Sequence, residues 1–205
     1  MKDLGIVLDS RLTYATHIDK TYKKALRMLG YLFRTCNNFT NLGAIRAVYF
    51  AYVRSHLDYC CQIWNPRLTG DCVLLEKIQR RFARFVYNRG LVPVEGLSEF
   101  HYRPVLESLG MRSLECRRDY FDAMLLLRIL YFDLGGLSLG GYRRHNAGER
   151  ELRSHRTFTT LIDCPSALNR CIQLLNNISF DWESVAVFSY SGSLGRVLEG
   201  IPLFR

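Results

Sequence analysis

Two groups of basic residues are the strongest chemical signal in the sequence. Within each group the residues are spaced so that, on an α-helix, they share one face. A helix face with several cations can contact successive phosphate oxygens and release counterions from a nucleic acid. A solvated face is the plain alternative, but two such groups in one bundle favour nucleic-acid binding. The groups are Lys20, Lys23, Lys24 and Arg27, and Lys77, Arg80, Arg81 and Arg84.

The charge of the whole chain points the same way. The 205 residues include 28 Lys or Arg and 19 Asp or Glu, a formal net charge of +9. Such a charge indicates a polyanionic partner, either a nucleic acid or an acidic membrane surface. The first ninety residues hold 15 of the basic and 6 of the acidic residues, whereas the rest holds 13 of each. All of the excess positive charge therefore lies in the ninety residues that contain the two basic groups.

Other chemistries are poorly supported by the residue spacing. The seven Cys include no Cys-x-x-Cys pair, and neighbouring Cys60 and Cys61 would diverge on a helix, so we expect reduced thiols and no metal site. Asp119 and Asp122 could hold a metal ion, but the adjacent arginines favour ion pairing. We interpret His56 as a hydrogen-bonded core or interface residue. No nucleophile motif or phosphate-binding P-loop is present, and we expect no catalytic site and no cofactor.

The composition is that of a globular protein. Hydrophobic residues make up 48% of the chain, enough to offset the entropy of ordering it. No apolar run approaches the roughly 18 residues that a membrane-spanning helix needs, and residues 1–9 lack the apolar core of a signal peptide. We therefore expect no membrane partner and an intracellular location.

The elements that would position the basic groups are helices. The sequence predicts a mainly α protein with three parts: a short strand or hairpin in residues 1–15, a basic three-helix bundle in residues 16–90, and a helical region in residues 91–205. The strand, residues 4–8, would pair with residues 12–14 or with a sheet outside this chain. Helices are expected at about 16–35, 40–64, 71–90, 103–109, 113–132 and 166–178. Thr16 and Asp19 would cap the first helix, and Asp71 the third. A Gly-rich loop is expected at 134–149 and strand character at 157–160.

Several segments, in this order and spacing, resemble one family. They are similar to the region downstream of the catalytic core in reverse transcriptases of jockey-like non-LTR retrotransposons, and the likeness covers nearly the whole chain, more loosely after about Arg128. The segments are DLGIVLD (3–9), THID (16–19), ALRMLGYLF (25–33), YVRSHLDY (52–59), IWNP (63–66) and LEKIQRRF (75–82), followed by residues 106–114 and 117–119.

This resemblance implies a function for the bundle. Leu4, Gly5 and Asp9 would correspond to the last palm motif, beside the primer terminus, and the helices that follow to the polymerase thumb. The family's catalytic Asp pair would lie upstream, and no Asp-Asp occurs here. The chain would therefore be a polymerase fragment that is not an enzyme alone, with Mg²⁺ belonging to the missing palm.

The implied partners are RNA and an RNA–DNA hybrid, bound through their phosphates, and the rest of a polymerase. The location would be the nucleus or cytoplasm, within a retrotransposon ribonucleoprotein. The alternative is a helical protein-interaction domain with no nucleic-acid role.

Overall fold

The described part of the chain is mainly helical, with a short hairpin at its N-terminal end, as the sequence predicts. A computed structural model describes residues 1–66, 68–92 and 99–132 together with Arg170 and Gln173. Two compact units, Met1–Glu115 and Cys116–Arg205, divide the chain. None of the described helices combines the length and the apolar character that crossing a bilayer would need.

The hairpin consists of β1 (Lys2–Asp3) and β2 (Ile6–Val7), which pair in antiparallel fashion. Leu4 and Gly5 form its turn, and both have the positive φ angles of the central residues of a type I′ turn. The predicted pairing with residues 12–14 is wrong. The partner is the segment before the turn, because a two-residue turn brings its own flanking residues together first.

Two long helices, α1 (Ala15–Thr35) and α5 (Thr69–Asn88), pack against each other and confirm two of the predicted helices. Their contact includes the rings of Phe33 and Phe85, which stack with centroids 4.4 Å apart. After α5 the chain turns at Gly90, whose φ of 64° suits a glycine at a helix C-terminus.

The predicted helix caps are wrong. Neither α1 nor α5 has a side-chain hydrogen bond at its N-terminal cap. Asp19 lies inside α1, and its carboxylate accepts a hydrogen bond from Lys23 Nζ at 2.7 Å. Asp71 lies in the first turn of α5, where a negative charge favours the helix dipole.

The predicted helix over residues 40–64 is interrupted. It is divided into α2 (Leu42–Tyr49), a π-helical segment (Phe50–Arg54), α3 (Ser55–Asp58) and α4 (Cys61–Trp64).

Two local features cause the interruption. The wider π turn rotates the side chains that follow it, and Cys60 has a φ of 48°, which ends α3. The indole N–H of Trp64 donates to the carbonyl oxygen of Tyr59 at 2.8 Å and stabilises this break. Tyr52 and Ile63, which lie in this interrupted segment, are about half exposed.

Aromatic side chains form the centre of the first unit. The ring of Tyr49 stacks on Phe82 with centroids 3.9 Å apart, and both side chains are fully buried. Trp64 is also fully buried and meets the ring of His17 edge-on at 5.3 Å. These contacts join α1, α2, α4 and α5 around one core.

A buried glutamine attaches α6 (Tyr102–Ser108) to α5. Gln79 Nε2 donates to the Tyr102 hydroxyl at 3.2 Å and to the Arg112 carbonyl oxygen at 2.8 Å. Gln79 Oε1 accepts a hydrogen bond from the Tyr49 hydroxyl at 3.5 Å. Because Gln79 has no exposed surface, its amide stabilises the fold only while these partners stay in place.

Glu76 continues this network. Its carboxylate accepts a hydrogen bond from the Tyr102 hydroxyl, and its second oxygen accepts the backbone N–H of Leu114 at 3.0 Å. Burial and the charge of Glu76 raise the pKa of Tyr102, so the hydroxyl keeps its proton and continues to donate.

The second unit begins within α7 (Leu114–Phe132), which matches the predicted helix. In this unit Asp122 is buried and forms an ion pair with Arg170 at 3.4 Å. The sequence favours ion pairing for this residue but points to the adjacent arginines, not to Arg170, as its partners. The remaining predictions for this unit, the Gly-rich loop at 134–149, the strand at 157–160 and most of the helix at 166–178, lie outside the described residues.

Candidate nucleic-acid interface

A groove of about 540 Å³ lies between the hairpin, α1 and α3. Its walls carry three lysines, two histidines and three hydroxyl groups, and no carboxylate is among the residues that line it. A surface of cations and hydrogen-bond donors without acidic groups suits an anion. The polar residues that line the groove are Lys2, His17, Lys20, Thr21, Lys24, Ser55, His56 and Tyr59.

The first basic group supplies two of these lysines. Lys20 and Lys24 are one helical turn apart on α1, both are exposed, and neither forms an ion pair with another described residue. Lys23 points to Asp19, with which it forms an exposed ion pair of little energetic weight. Arg27 is exposed one turn beyond Lys24. The fold therefore brings Lys20 and Lys24 into one site and leaves Lys23 and Arg27 outside its walls.

The hairpin brings a third cation to the groove. Lys2 lies opposite Val7 in the β1–β2 register, and both residues line the groove. The Tyr59 hydroxyl donates to the carbonyl oxygen of Leu4 at 2.9 Å and so attaches the turn to the end of α3. Gly5 has a φ of 90°, a conformation that favours glycine. Leu4 and Gly5 therefore act here by shaping one wall of the groove.

His17 holds β2 against α1. The Val7 backbone N–H donates to His17 Nδ1 at 3.3 Å, and His17 Nε2 lies 3.4 Å from the Thr21 hydroxyl. Accepting at Nδ1 requires a neutral ring with its proton on Nε2. Burial and the neighbouring Lys20 lower the pKa of His17, which favours this neutral form.

Asp9 organises the turn between the hairpin and α1. Its carboxylate accepts hydrogen bonds from the Tyr14 backbone N–H at 2.9 Å, the Thr13 N–H at 3.1 Å and the Thr13 hydroxyl at 2.8 Å. These hydrogen bonds, that from Tyr14 foremost, lower the pKa of Asp9 to about 2. Asp9 does not line the groove, so its contacts fix the path of the chain into α1.

The second basic group has different neighbours. Arg80 lies over the ring of Tyr102 and Arg84 over the ring of Phe100, each guanidinium carbon 4.9 Å from the ring centroid. Such cation–π contacts stabilise the packing of residues 100–102 on α5. Lys77 and Arg81 are exposed and form no ion pair with a described residue. Two of the four predicted phosphate contacts on α5 therefore already have partners within the protein.

Of the eight polar residues of the groove, sequence reasoning singled out only Lys20 and Lys24 as ligand contacts. Lys2 lies far from α1 in sequence, and only the hairpin register brings it there. His56 is half-buried in the groove wall. No described residue makes the hydrogen bond with it that the sequence interpretation expects. A histidine in an amphipathic helix gives no local signal of such a position.

The described residues contain no cluster of three or more His, Cys, Asp or Glu that could hold a metal ion. The groove offers cations and hydrogen-bond donors to a ligand.

The chain is similar to a protein of known sequence. An uncharacterized protein of Caenorhabditis elegans is 33% identical over 89 residues, which are 43% of this chain and 44% of that protein. The chain therefore matches less than half the length of this relative. No family model and no solved structure matches the chain.

Proposed function

We propose that the first unit binds the phosphate backbone of a nucleic acid, as the thumb of an RNA-directed DNA polymerase does. One observation carries the proposal. Lys20 and Lys24 share a groove with Lys2 and His56, and that groove has no carboxylate on its walls. Three unneutralised lysines around one cavity can bind adjacent phosphates and release counterions.

The contacts of the hairpin support this proposal. In the reverse transcriptases that the sequence resembles, the Leu-Gly strand motif lies beside the primer terminus, and the thumb helices follow it in the chain. Here Leu4 and Gly5 form the turn that Tyr59 attaches to the end of α3, and Val7 is attached to α1 through His17. The proposed ligand is an RNA–DNA hybrid, bound without reading its base sequence. Nucleotide transfer is not proposed for this chain, because no adjacent Asp pair occurs in it.

A salt titration of hybrid binding tests the proposal. The double variant Lys20→Gln and Lys24→Gln keeps helix propensity and removes two groove cations. We expect it to bind a 20-base-pair RNA–DNA hybrid about ten- to a hundredfold more weakly and to reduce the slope of log affinity against log salt by about two. Fluorescence anisotropy at several salt concentrations measures both quantities.

The control is a second double variant with the same change in charge. Arg34→Gln and Arg103→Gln remove two exposed cations that do not line the groove, and we expect at most a small loss of affinity. Equal losses in both double variants would mean that net charge, and not the groove, sets the affinity. A third variant, Lys77→Gln with Arg81→Gln, tests whether the open part of the second basic group also contacts phosphate.

A protein-interaction domain is the second candidate. Tyr52, Tyr59 and Ile63 are each about half exposed on the interrupted segment between α2 and α5, and exposed apolar residues favour protein contacts. This function predicts association that salt hardly weakens, the opposite of phosphate binding.

A further inference from the structure

The two histidines of the groove differ in their contacts. Both nitrogens of the His17 ring have partners, the Val7 N–H at 3.3 Å and the Thr21 hydroxyl at 3.4 Å. His56 makes no hydrogen bond or ion pair with any described residue, although it is half-buried in the same groove. His17 is therefore committed to the fold, whereas the ring of His56 is available to a ligand.

The surroundings of His56 are positively charged. Lys20 and Lys24 line the groove from α1, together with His17, and Lys2 lines it from the hairpin. Arg54 and Asp58, two residues to either side of His56, form an ion pair with each other at 3.6 Å.

The Tyr59 hydroxyl, the remaining titratable group of the groove, donates to Leu4. Burial, together with the charge of Lys24, lowers the pKa of His56. The free protein therefore holds His56 neutral at neutral pH.

We propose that the groove binds a phosphodiester together with one proton on His56, so that nucleic-acid binding strengthens as the pH falls. This inference rests on the proposed function, since it concerns the same groove and the same ligand. A bound phosphate places a negative charge among Lys20, Lys24 and the imidazole, which offsets the repulsion that disfavours the imidazolium. The protonated ring then adds a charge-assisted hydrogen bond to the phosphate.

The sign of the effect follows from linkage. A ligand that favours the protonated ring raises the pKa of His56, and protonation must strengthen binding by the same factor. Affinity therefore increases as the pH falls through the range between the raised pKa of the complex and the lowered pKa of the free protein. A phosphodiester keeps its charge throughout this range, so the hybrid itself does not contribute to the pH dependence.

The experiment measures the affinity of the chain for the hybrid at constant ionic strength, from about pH 5.5 to about pH 7.5. We expect the native chain to bind about fivefold more tightly at the lower pH. His56→Gln should remove this dependence and keep the weaker binding, whereas His56→Arg, which carries a permanent charge, should bind tightly at both values. His101→Gln removes an exposed histidine outside the groove and should behave like the native chain. Unchanged pH dependence in His56→Gln would overturn the proposal.

An NMR titration of the histidine rings separates this inference from the proposed function. Sulfate, whose charge is constant over this pH range, serves as a second probe beside the hybrid. If both probes raise the pKa of His56, both proposals are supported. If the hybrid binds but leaves the pKa of His56 unchanged, only the proton-coupled site fails. If sulfate raises the pKa and the hybrid does not bind, the anion site is supported and the nucleic-acid function fails. If the hybrid does not bind and sulfate leaves the pKa of His56 unchanged, both proposals fail. The Val7 amide signal then shows whether the hairpin has stayed docked.

Discussion

The basic groups on α1 and α5 have similar residue spacing but different surroundings. On α1, Lys20 and Lys24 line an open groove without acidic neighbours on its walls. On α5, Arg80 and Arg84 lie over the rings of Tyr102 and Phe100. The cations on α5 are therefore held against aromatic rings of the same unit, whereas those on α1 face an open groove.

Residue type contributes to this difference. The two engaged residues on α5 are arginines, whose planar guanidinium stacks well on an aromatic face. The two groove residues on α1 are lysines, whose compact ammonium groups stay hydrated and act as point charges. The basic residues of α5 consequently contribute to the stability of the unit, together with the buried network around Gln79. The basic residues of α1 form the candidate binding surface.

The largest expected effect concerns stability on the α5 side. Gln79→Leu removes three hydrogen bonds and leaves the Arg112 carbonyl without its Gln79 donor. We expect a loss of about 3 kcal/mol in the free energy of unfolding, since unsatisfied buried groups are costly. Urea denaturation measures the loss. Lys77→Gln, an exposed change on the same helix, should stay within about 0.5 kcal/mol of the native chain, and an equal effect of both changes would refute a structural role for Gln79.

A smaller loss of stability is expected when the two ring-stacked arginines of α5 are replaced. Arg80→Gln with Arg84→Gln removes both cation–π contacts, and we expect a loss of about 1 to 2 kcal/mol in unfolding free energy. Hybrid affinity should fall no further than in the control that replaces Arg34 and Arg103. Lysine at both positions keeps the charge but stacks less well, so it should restore only part of the stability.

The hybrid affinity of this arginine variant also tests whether the two helix faces differ. If the replacement of both arginines by glutamine weakens hybrid binding as much as the replacement of Lys20 and Lys24, the two helix faces are equivalent. Both would then contact phosphate, as the sequence alone predicts.

The smallest expected effect is local and concerns the turn that leads into α1. Because hydrogen bonds from Thr13 and Tyr14 lower the pKa of Asp9 to about 2, their contribution is complete above the ordinary value of 3.8 and is lost as the pH falls through about 2. The amide signals of Thr13 and Tyr14 should report this titration by NMR. Asp9→Asn should abolish it while leaving the rings on α5 undisturbed. A midpoint near 3.8 would show that the turn does not hold the carboxylate.

Local pattern was sufficient to predict the long helices. The bounds of α1 and α7 agree with prediction to within one residue, because the spacing of apolar residues on a helix is a local property of the chain. The helix over residues 40–64 could not be predicted correctly, since its apolar spacing continues across the π turn and the break at Cys60 depends on contacts such as that of Trp64.

The residue pattern alone was sufficient to predict a mainly helical protein with its positive charge in the first ninety residues and with lysines and arginines on shared helix faces. The neighbours of those cations depend on the fold. Lys20 and Lys24 meet Lys2 through the hairpin, and Arg80 and Arg84 meet aromatic rings about twenty residues further along the chain. The physical reason is that the surroundings of a charged side chain are set by contacts between residues distant in sequence, whereas the helix face that carries it is set by its near neighbours.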